Sequence, residues 1–252
     1  DGAIVLNADD QFYNFHKNIA LKRKIRIYSF STKKKKANIK LNSIKKEGKK
    51  YKVFINVGNQ KMYFYTSSNF ENDIKNLLAA LTVIGIFKSV SKLNKNIFYN
   101  HKKLEGRGDI SKIKINKKNI YLIDESYNSN PLSLKSAIKN FDALKVNDSK
   151  KHLVLGDMLE LGRHSKKLHS EISSIINKTS IDYINVIGKN IAETYKNINK
   201  NKKGLILKKN SQIIHLIKNY INNNDYLMIK GSNSTGLHKV TNSLKTGRIN
   251  VL

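Results

Sequence analysis

The sequence predicts an α/β protein in which a mixed sheet with an antiparallel meander precedes a Rossmann-like, mostly parallel α/β domain. Two observations support this fold class. Residues 24–66 alternate between apolar and polar side chains, as strands with one covered face do. After about residue 103, short apolar runs alternate with amphipathic stretches, which is typical of a parallel sheet with helices on its faces. We therefore expect two domains, residues 1–103 and residues 104–252.

The first region is predicted to contain three strands and a helix. Glu47-Gly48 and Gly58-Asn59 supply turns between strands, and the order of the strands indicates a meander. A helix over about residues 72–88 follows from the recurrence of Ile74, Leu77, Leu78, Leu81 and Ile84 at helical spacing. The predicted strands cover residues 24–30, 51–57 and 61–65.

The second region is predicted to alternate strands with helices. Helical faces recur around residues 134–144 and 213–221. Ligands of open parallel sheets lie beyond the carboxyl ends of the strands, so the segments that follow the strands are the place to search for a site. The predicted strands cover residues 120–123, 152–155, 183–187, 204–207 and 226–229.

Composition limits the class of protein. The 252 residues are 39% hydrophobic, which is enough for a core, and no run approaches the roughly 20 apolar residues that span a bilayer. Residues 1–25 lack the layout of a signal peptide, and Cys is absent, so we expect a cytoplasmic protein. The chain starts at Asp1 without Met and almost inside an apolar run, from which we expect a fragment of something longer.

The formal net charge of +30 raises the alternative of a nucleic-acid-binding module. Only 5 of the 48 basic residues are Arg, although Arg is favoured for groove readout and bidentate phosphate contacts. Lys is spread along the whole chain among many Asn and Ile, as AT-rich codon usage produces, and the run 33–36 is interpreted as a loop. We expect no basic stripe interleaved with aromatics, because Tyr63, Phe64 and Tyr65 are interpreted as core and edge residues.

Three polar clusters follow predicted strands directly, at residues 124–131, 156–162 and 230–236. The first offers carboxylates for ribose hydroxyls or a cation, and the last offers an ammonium, hydroxyls and amides for an anionic group. The alternative is that Ser126, Asn130 and residues 232–235 only cap the helices that follow. Three clusters on one edge of a sheet favour a functional site.

These clusters carry a resemblance to a known family. Asp-Glu-Ser-Tyr-Asn-Ser-Asn-Pro at 124–131, Gly-Asp-Met-Leu-Glu-Leu-Gly at 156–162 and Lys-Gly-Ser at 230–232 resemble the C-terminal domain of D-alanyl-D-alanine-adding Mur ligases. Residues 6–10, 72–80 and 104–107 resemble the end of that family's central ATPase domain and the hinge after it. The resemblance implies that residues 1–103 are part of a central ATP-binding domain and residues 104–252 a C-terminal domain.

The resemblance implies an ATP-dependent amide ligase of peptidoglycan precursor synthesis. Mur ligases phosphorylate a substrate carboxylate with ATP, and an incoming amine then attacks the acyl phosphate. The implied substrates are UDP-N-acetylmuramoyl-tripeptide and D-alanyl-D-alanine, and the implied cofactors are ATP and Mg²⁺, whose ligands would lie mostly outside this chain. We expect a monomer with no specific nucleic-acid partner and no membrane association.

The resemblance also assigns the ATP contacts. Arg107 would reach a terminal phosphate, as an always-charged planar fork can, although a hinge salt bridge is the alternative. Asp124 or Glu125 would hold the ribose. Asn76 would contact the adenine, and Asp73 stands beside it in the motif.

Second-substrate contacts are assigned with the same reasoning. They are Asn128, Asn130, Lys230 and Ser232. We interpret His169 as a packed helix residue in preference to an acid-base group.

Three departures from the family pattern qualify these assignments. Asp124-Glu125 replaces two consecutive Asp, and Asn72-Asp73 replaces a His-Asn pair. A Gly-x-x-Gly-Lys-Thr phosphate loop is missing from the sequence, so we expect this chain alone to have no ligase activity. The alternatives within the enzyme class are a sister Mur ligase and a folylpolyglutamate-synthase-like amide ligase.

Overall fold

A computed structural model describes residues 2–33, 36–99 and 105–248. Four expectations fall partly outside these residues: the start at Asp1, the lysine run 33–36, the domain boundary at 103/104 and Leu104 of the hinge motif. The chain divides into two compact units, Asp1–Lys102 and Lys103–Leu252. No helix within the described residues is both long enough and apolar enough to cross a membrane.

The first unit contains a mixed sheet in the order β1-β2-β3-β4-β5. β2 pairs in parallel with both β1 and β3, whereas β3, β4 and β5 form an antiparallel meander. The elements are β1 (Ala3–Asn7), α1 (Tyr13–Lys22), β2 (Arg26–Ser31), β3 (Ile39–Glu47), β4 (Lys50–Val57), β5 (Gln60–Thr66) and α2 (Glu71–Phe87).

The sequence-based meander was therefore wrong in its first member. The predicted strand 24–30 is β2, which is parallel to its neighbours, and β3 was not predicted. In β3 only Ile39 is buried, and the ladder shifts register between Leu41 and Ser43, so the strand lacks a regular apolar alternation. The predicted strands 51–57 and 61–65 are confirmed as β4 and β5.

Helix α2 covers one face of this sheet. Its apolar stripe buries Ile74, Leu77, Leu78 and Leu81, and the helix begins and ends one residue before the predicted bounds. These side chains form one core cluster with buried residues of the strands, among them Val53, Ile55 and Phe64. Complete burial of such a side chain contributes about 1.5–3 kcal/mol, so packing of this stripe holds α2 on the sheet.

The second unit contains a six-stranded sheet in the order β10-β9-β8-β11-β7-β6. All neighbours are parallel except β6, which is antiparallel to β7. The strands are β6 (Asp109–Ile115), β7 (Lys118–Glu125), β8 (Lys151–Gly156), β9 (Tyr183–Ile187), β10 (Lys203–Leu207) and β11 (Tyr226–Lys230). The helices are α3 (Pro131–Asp142), α4 (Ser165–Ile176), α5 (Ala192–Lys196), α6 (Gln212–Tyr220) and α7 (Leu237–Thr246).

The five predicted strands of this region are confirmed, and so is the mostly parallel sheet. β6 was not predicted, although its alternation of Ile with Ser and Lys is the pattern of a half-buried edge strand. Helices cover both faces of the sheet. One core cluster joins strand residues such as Leu227 and Ile229 to α6 and α7, and the other joins Met228 and Leu153 to α3 and α4. Alternate residues of β11 thus face opposite layers, as in a doubly wound sheet.

Candidate functional site

Three neighbouring strands end at the same edge of the second sheet. β11 lies between β7 and β8 and is parallel to both, and Lys230 pairs in register with Glu125 on one side and Leu155 on the other. The three polar clusters that follow these strands therefore start together, as the sequence predicted. This edge of the sheet is the candidate functional site.

Glycines allow the strand ends to pack closely against α7. A β-carbon added to Gly156 would lie 2.6 Å from Leu237 Cδ1, and one added to Gly231 would lie 2.7 Å from the same atom. Real Cβ atoms do not approach so closely, so a larger residue at either position would force the Leu237 side chain to move. Gly236, with φ of +74°, reverses the chain directly before that helix.

Lys230, the last residue of β11, is buried at this edge of the sheet. Its side chain is 2% exposed, and its Nζ lies 3.3 Å from Glu125 Oε2 and 2.9 Å from the backbone oxygen of Asn128. Burial lowers the pKa of Lys230, and Glu125 opposes that shift. The ammonium therefore ties β11 to the loop after β7 and is not presented to solvent.

Asp124 is used inside the fold. Its Oδ1 accepts hydrogen bonds from the backbone nitrogen and hydroxyl of Ser126, at 3.1 and 2.5 Å, and its Oδ2 accepts one from Lys245 Nζ at 2.6 Å. Burial raises the pKa of Asp124, but the hydrogen bonds from Lys245 and Ser126 outweigh burial and lower it. Since both oxygens have partners and the residue is 1% exposed, Glu125 is the better placed of the two ribose candidates.

Arg107 lies above the buried charges. It is exposed, and its guanidinium carbon is 4.6 Å from the centre of the Tyr127 ring, which is itself 50% exposed. The positive charge of Arg107 also contributes to lowering the pKa of Lys230, behind burial. A stacked guanidinium keeps its hydrogen-bond donors available at the ring's edge.

Asn130 is the N-cap of α3. Its Oδ1 accepts a hydrogen bond from the backbone nitrogen of Ser133 at 2.8 Å, and its own backbone nitrogen donates to the Ser133 hydroxyl. Pro131 follows at the first helical position. The capping alternative is thus confirmed for Asn130, whereas the Ser126 hydroxyl binds Asp124 and does not cap the helix.

Ser232 links the three loops. Its hydroxyl accepts a hydrogen bond from the backbone nitrogen of Leu159 at 2.8 Å and donates to the backbone oxygen of Ser129 at 3.2 Å. Asn128 is exposed, and its Oδ1 accepts a hydrogen bond from the backbone nitrogen of Ser129 at 2.7 Å. Of the four predicted substrate contacts, Lys230 and Ser232 hold the loops together, Asn130 caps α3, and Asn128 is exposed.

His169 belongs to the packing of α4. The ring is fully buried, Nε2 accepts a hydrogen bond from the backbone nitrogen of Met158 at 3.0 Å, and Nδ1 donates to the backbone oxygen of Ser165 at 2.8 Å. These two contacts require the neutral tautomer protonated at Nδ1. The interpretation of His169 as a packed helix residue is confirmed.

The two predicted adenine contacts belong to the first unit. Asp73 and Asn76 lie three residues apart in the first turns of α2, on one side of the helix. Asn76 is exposed and Asp73 half-buried.

Sequence reasoning missed Tyr127, Asp109 and Lys245 as parts of this edge. Tyr127 lies inside the recognised motif, so its position was a usable signal. Lys245 gave none, because it is one lysine among many and lies 136 and 121 residues from its partners Asp109 and Asp124. Within residues 2–33, 36–99 and 105–248, no group of three or more histidines and carboxylates could hold a metal ion, and the Mg²⁺ assignment stays a prediction.

Lysines and aromatic rings do interleave on one face of β4 and β5, contrary to expectation. Lys52 Nζ lies 4.2 Å from the centre of the Tyr63 ring, and Lys50 Nζ lies 5.3 Å from that of Tyr65. Strand alternation places Tyr63 and Tyr65 together on the face opposite the core, while Phe64 is fully buried. The rings were interpreted correctly as core and edge residues, but the lysines across the ladder were overlooked.

Comparison with known proteins agrees with this architecture. Residues 111–233 match the family described as Mur ligase, glutamate ligase domain. A UDP-N-acetylmuramoyl-tripeptide–D-alanyl-D-alanine ligase of Buchnera aphidicola subsp. Acyrthosiphon pisum is 38% identical over 50% of this chain and 27% of its own length. The protein of that name from Rickettsia prowazekii is 24% identical over 94% of this chain and 51% of its own length.

Solved structures show the same fold over almost the whole chain. The MurF ligase of Thermotoga maritima in complex with ADP superposes with a TM-score of 0.76 at 18% identity, over 97% of this chain and 53% of that one. The chain thus spans about half the length, or less, of the proteins it matches. The chain therefore shares the fold of this solved Mur ligase, and its residues 111–233, which carry the three motif loops at one sheet edge, are similar to the glutamate ligase domain of Mur ligases.

Proposed function

We propose that this chain is part of a bacterial, cytoplasmic, ATP-dependent ligase that joins D-alanyl-D-alanine to UDP-N-acetylmuramoyl-tripeptide in peptidoglycan precursor synthesis. The observation that carries the proposal is the exposed Arg107, stacked on Tyr127 above the Glu125–Lys230 pair at the end of the parallel strands. Relatives named for this reaction align with 50% and 94% of the chain.

The proposed ligase reaction has two steps. The tripeptide carboxylate attacks the γ-phosphorus of ATP, which gives an acyl phosphate and ADP. The amine of D-alanyl-D-alanine then attacks the acyl carbon, inorganic phosphate leaves and the amine loses a proton. Mg²⁺ bound to the nucleotide would supply further neutralisation of phosphate charge.

The residues of this chain suit the charge that develops. Arg107 would stabilise the negative charge on the transferring phosphoryl group, because guanidinium is always protonated and presents paired donors. Glu125, 22% exposed at its side chain, would accept hydrogen bonds from the ribose. Asn76, with Asp73 beside it, would contact the adenine.

The remaining site residues would act on the amine substrate mainly through loop shape. Lys230, Ser232 and Asn130 hold residues 126–131 in place. Asn128, which is exposed in that loop, would make the direct contact.

A chimera tests the function. Residues 1–252 would replace the matching half of the Rickettsia prowazekii relative, to which 94% of this chain aligns. We expect phosphate release that requires both the UDP-linked tripeptide and D-alanyl-D-alanine, and a loss of kcat of about 100-fold in Arg107→Ala. The exposed Arg163 gives a matched control, and Arg163→Ala should leave kcat unchanged.

Other outcomes would contradict the proposal. Turnover with glutamate in place of D-alanyl-D-alanine would favour the folylpolyglutamate-synthase-like alternative. Turnover with another amino acid would favour a sister Mur ligase. Full activity of Arg107→Ala would show that the reaction does not require Arg107. Phosphate release by residues 1–252 alone would contradict the expectation that this chain is inactive by itself.

A further inference from the structure

Two carboxylates meet directly across the β6–β7 ladder. Asp109 and Asp124 are paired residues of the antiparallel strands, and Asp124 is 1% exposed. Like charges placed opposite each other in a sheet repel, and the repulsion grows with burial. A cation held between the two carboxylates offsets this repulsion.

Lys245, from the last turn of α7, supplies that cation. Its Nζ lies 2.5 Å from Asp109 Oδ2 and 2.6 Å from Asp124 Oδ2, and its side chain is 16% exposed. Burial lowers the pKa of Lys245, but the two carboxylates outweigh burial and raise it. We call Lys245, Asp109 and Asp124 the clamp.

The clamp is connected to the segment that carries Arg107. Asp109 Oδ1, the oxygen that Lys245 leaves free, accepts a hydrogen bond from the backbone nitrogen of Gly106 at 3.0 Å. The backbone nitrogen of Gly108 donates to the backbone oxygen of Asp124 at 2.7 Å. Both neighbours of Arg107 are thus fastened to a member of the clamp.

Gly106 also holds its own backbone close to that of Tyr127. Its backbone oxygen accepts a hydrogen bond from the backbone nitrogen of Tyr127 at 3.2 Å, and its φ is +73°. A β-carbon at Gly106 would lie 2.9 Å from that nitrogen, so only glycine fits this approach. The position of Gly106 therefore decides where the Arg107 guanidinium meets the Tyr127 ring.

We propose that Lys245, acting through Asp109 and Asp124, is a positioning residue that holds residues 106–108 against the loop after β7 and so fixes Arg107 over Tyr127. Its importance for catalysis rests on the proposed function of Arg107. The positioning itself is a property of this chain and needs no nucleotide. An Arg side chain that is held in place loses less conformational freedom when it meets a phosphate.

Amide hydrogen exchange and NMR contacts in the 252-residue chain test this proposal. In Lys245→Met we expect the Gly106 and Gly108 amides to exchange on the order of tenfold faster or more, because the residues that accept their hydrogen bonds, Asp109 and Asp124, are no longer held together by the cation. The nuclear Overhauser contact between Arg107 and the Tyr127 ring should weaken. Lys245→Arg, which keeps the cation, should restore both, and Lys239→Met, at an exposed lysine of the same helix, should change neither.

Asp109→Ala provides a second variant if Lys245→Met does not fold. It removes the acceptor of the Gly106 amide and leaves the Lys245–Asp124 pair in place. We expect selective acceleration at Gly106 there as well. Equal acceleration of amides throughout β8 and β9, or unchanged Gly106 exchange and Arg107–Tyr127 contact, would overturn the proposal.

The assay separates this inference from the ligase proposal. If the chimera fails to turn over ATP while Gly106 and Arg107 respond as expected, positioning stands and the proposed reaction falls. If the chimera is active but the clamp variants leave these signals unchanged, the reaction stands and the positioning role falls.

Discussion

Both edges of the second unit's sheet bury charged side chains, but the buried charges have different neighbours at the two edges. At the amino-terminal edge, His152 and Asp225 lie 3.3 Å apart with side chains 3% and 4% exposed. Asp225 also accepts hydrogen bonds from the backbone nitrogens of Lys150 and Asn222. At the carboxyl-terminal edge, the buried Lys230 and Asp124 lie beneath the exposed Arg107 and Tyr127.

The difference shows that buried charge alone does not indicate a site. At the amino-terminal edge, Asp225 binds backbone amides and thereby anchors the starts of β8 and β11. At the carboxyl-terminal edge, buried pairs support a layer that is open to solvent. We infer that exposed cations held above buried pairs, in loops after parallel strands, distinguish the functional edge.

The largest predicted change in stability at the carboxyl-terminal edge concerns the pair Glu125 and Lys230. Glu125→Gln leaves the Lys230 ammonium, 2% exposed, without its counter-ion, so we expect a loss of about 1–3 kcal/mol in unfolding free energy. Lys230→Met should cost less, because Glu125 keeps 22% of its side chain exposed to water. Urea unfolding at pH 7 measures both variants.

The pH dependence of Glu125→Gln follows from linkage. The folded-state pKa of Lys230 is already lowered from 10.5, and loss of Glu125 lowers it further. The unfolded state then binds more protons than the folded state in the window below pH 10.5, so the stability of the variant should rise with pH there. If Lys230→Met lost more unfolding free energy than Glu125→Gln, the buried ammonium would not be the member of the pair that depends more on its partner.

The amino-terminal edge gives a second prediction, of intermediate size. Burial lowers the pKa of His152 from 6.5, and Asp225 opposes the shift. Below pH 6.5 the unfolded chain takes up a proton that the folded chain does not, so stability falls as pH falls, by at most about 1.4 kcal/mol per pH unit. In His152→Gln, stability should fall less between pH 7 and pH 5.

Thermal melts across that range, with the exposed His215→Gln as the control, measure the slope. Parallel profiles for the wild type and His152→Gln would mean that His152 does not carry the pH dependence of this edge. The same titration should leave the contact between Arg107 and Tyr127 unchanged, because His152 lies at the opposite edge of the sheet.

Sequence reasoning succeeded where local pattern determines structure. The strands of the second unit were found because central parallel strands are apolar on both faces, and β8 is buried at every position. The three motif loops were placed on one edge because parallel strands share their direction. The failures, β3 and β6, are strands with few buried residues, one in β3 and two in β6.

The internal use of the site residues could not be predicted in the same way. Whether Asp124 faces a ligand or Lys245 depends on a contact 121 residues away in sequence, and nothing local encodes that contact. Ser232 is similar, because its hydroxyl bridges Leu159 and Ser129 from two other loops. For Asn130 the signal was local, since a polar residue before Pro131 at a helix start is a capping pattern.

Asn130 gives the smallest predicted effect and decides whether a motif residue serves the fold or the substrate. Asn130→Ala removes the acceptor of the Ser133 amide at the start of α3, and we expect a loss of about 1 kcal/mol in unfolding free energy. Asn130→Asp keeps an acceptor and should retain most of the stability. In the chimera, the KM for D-alanyl-D-alanine should change little in Asn130→Asp, whereas Asn128→Ala should raise it. A large rise in KM for Asn130→Asp at unchanged stability would place Asn130 among the substrate contacts and extend the open layer of the carboxyl-terminal edge as far as α3.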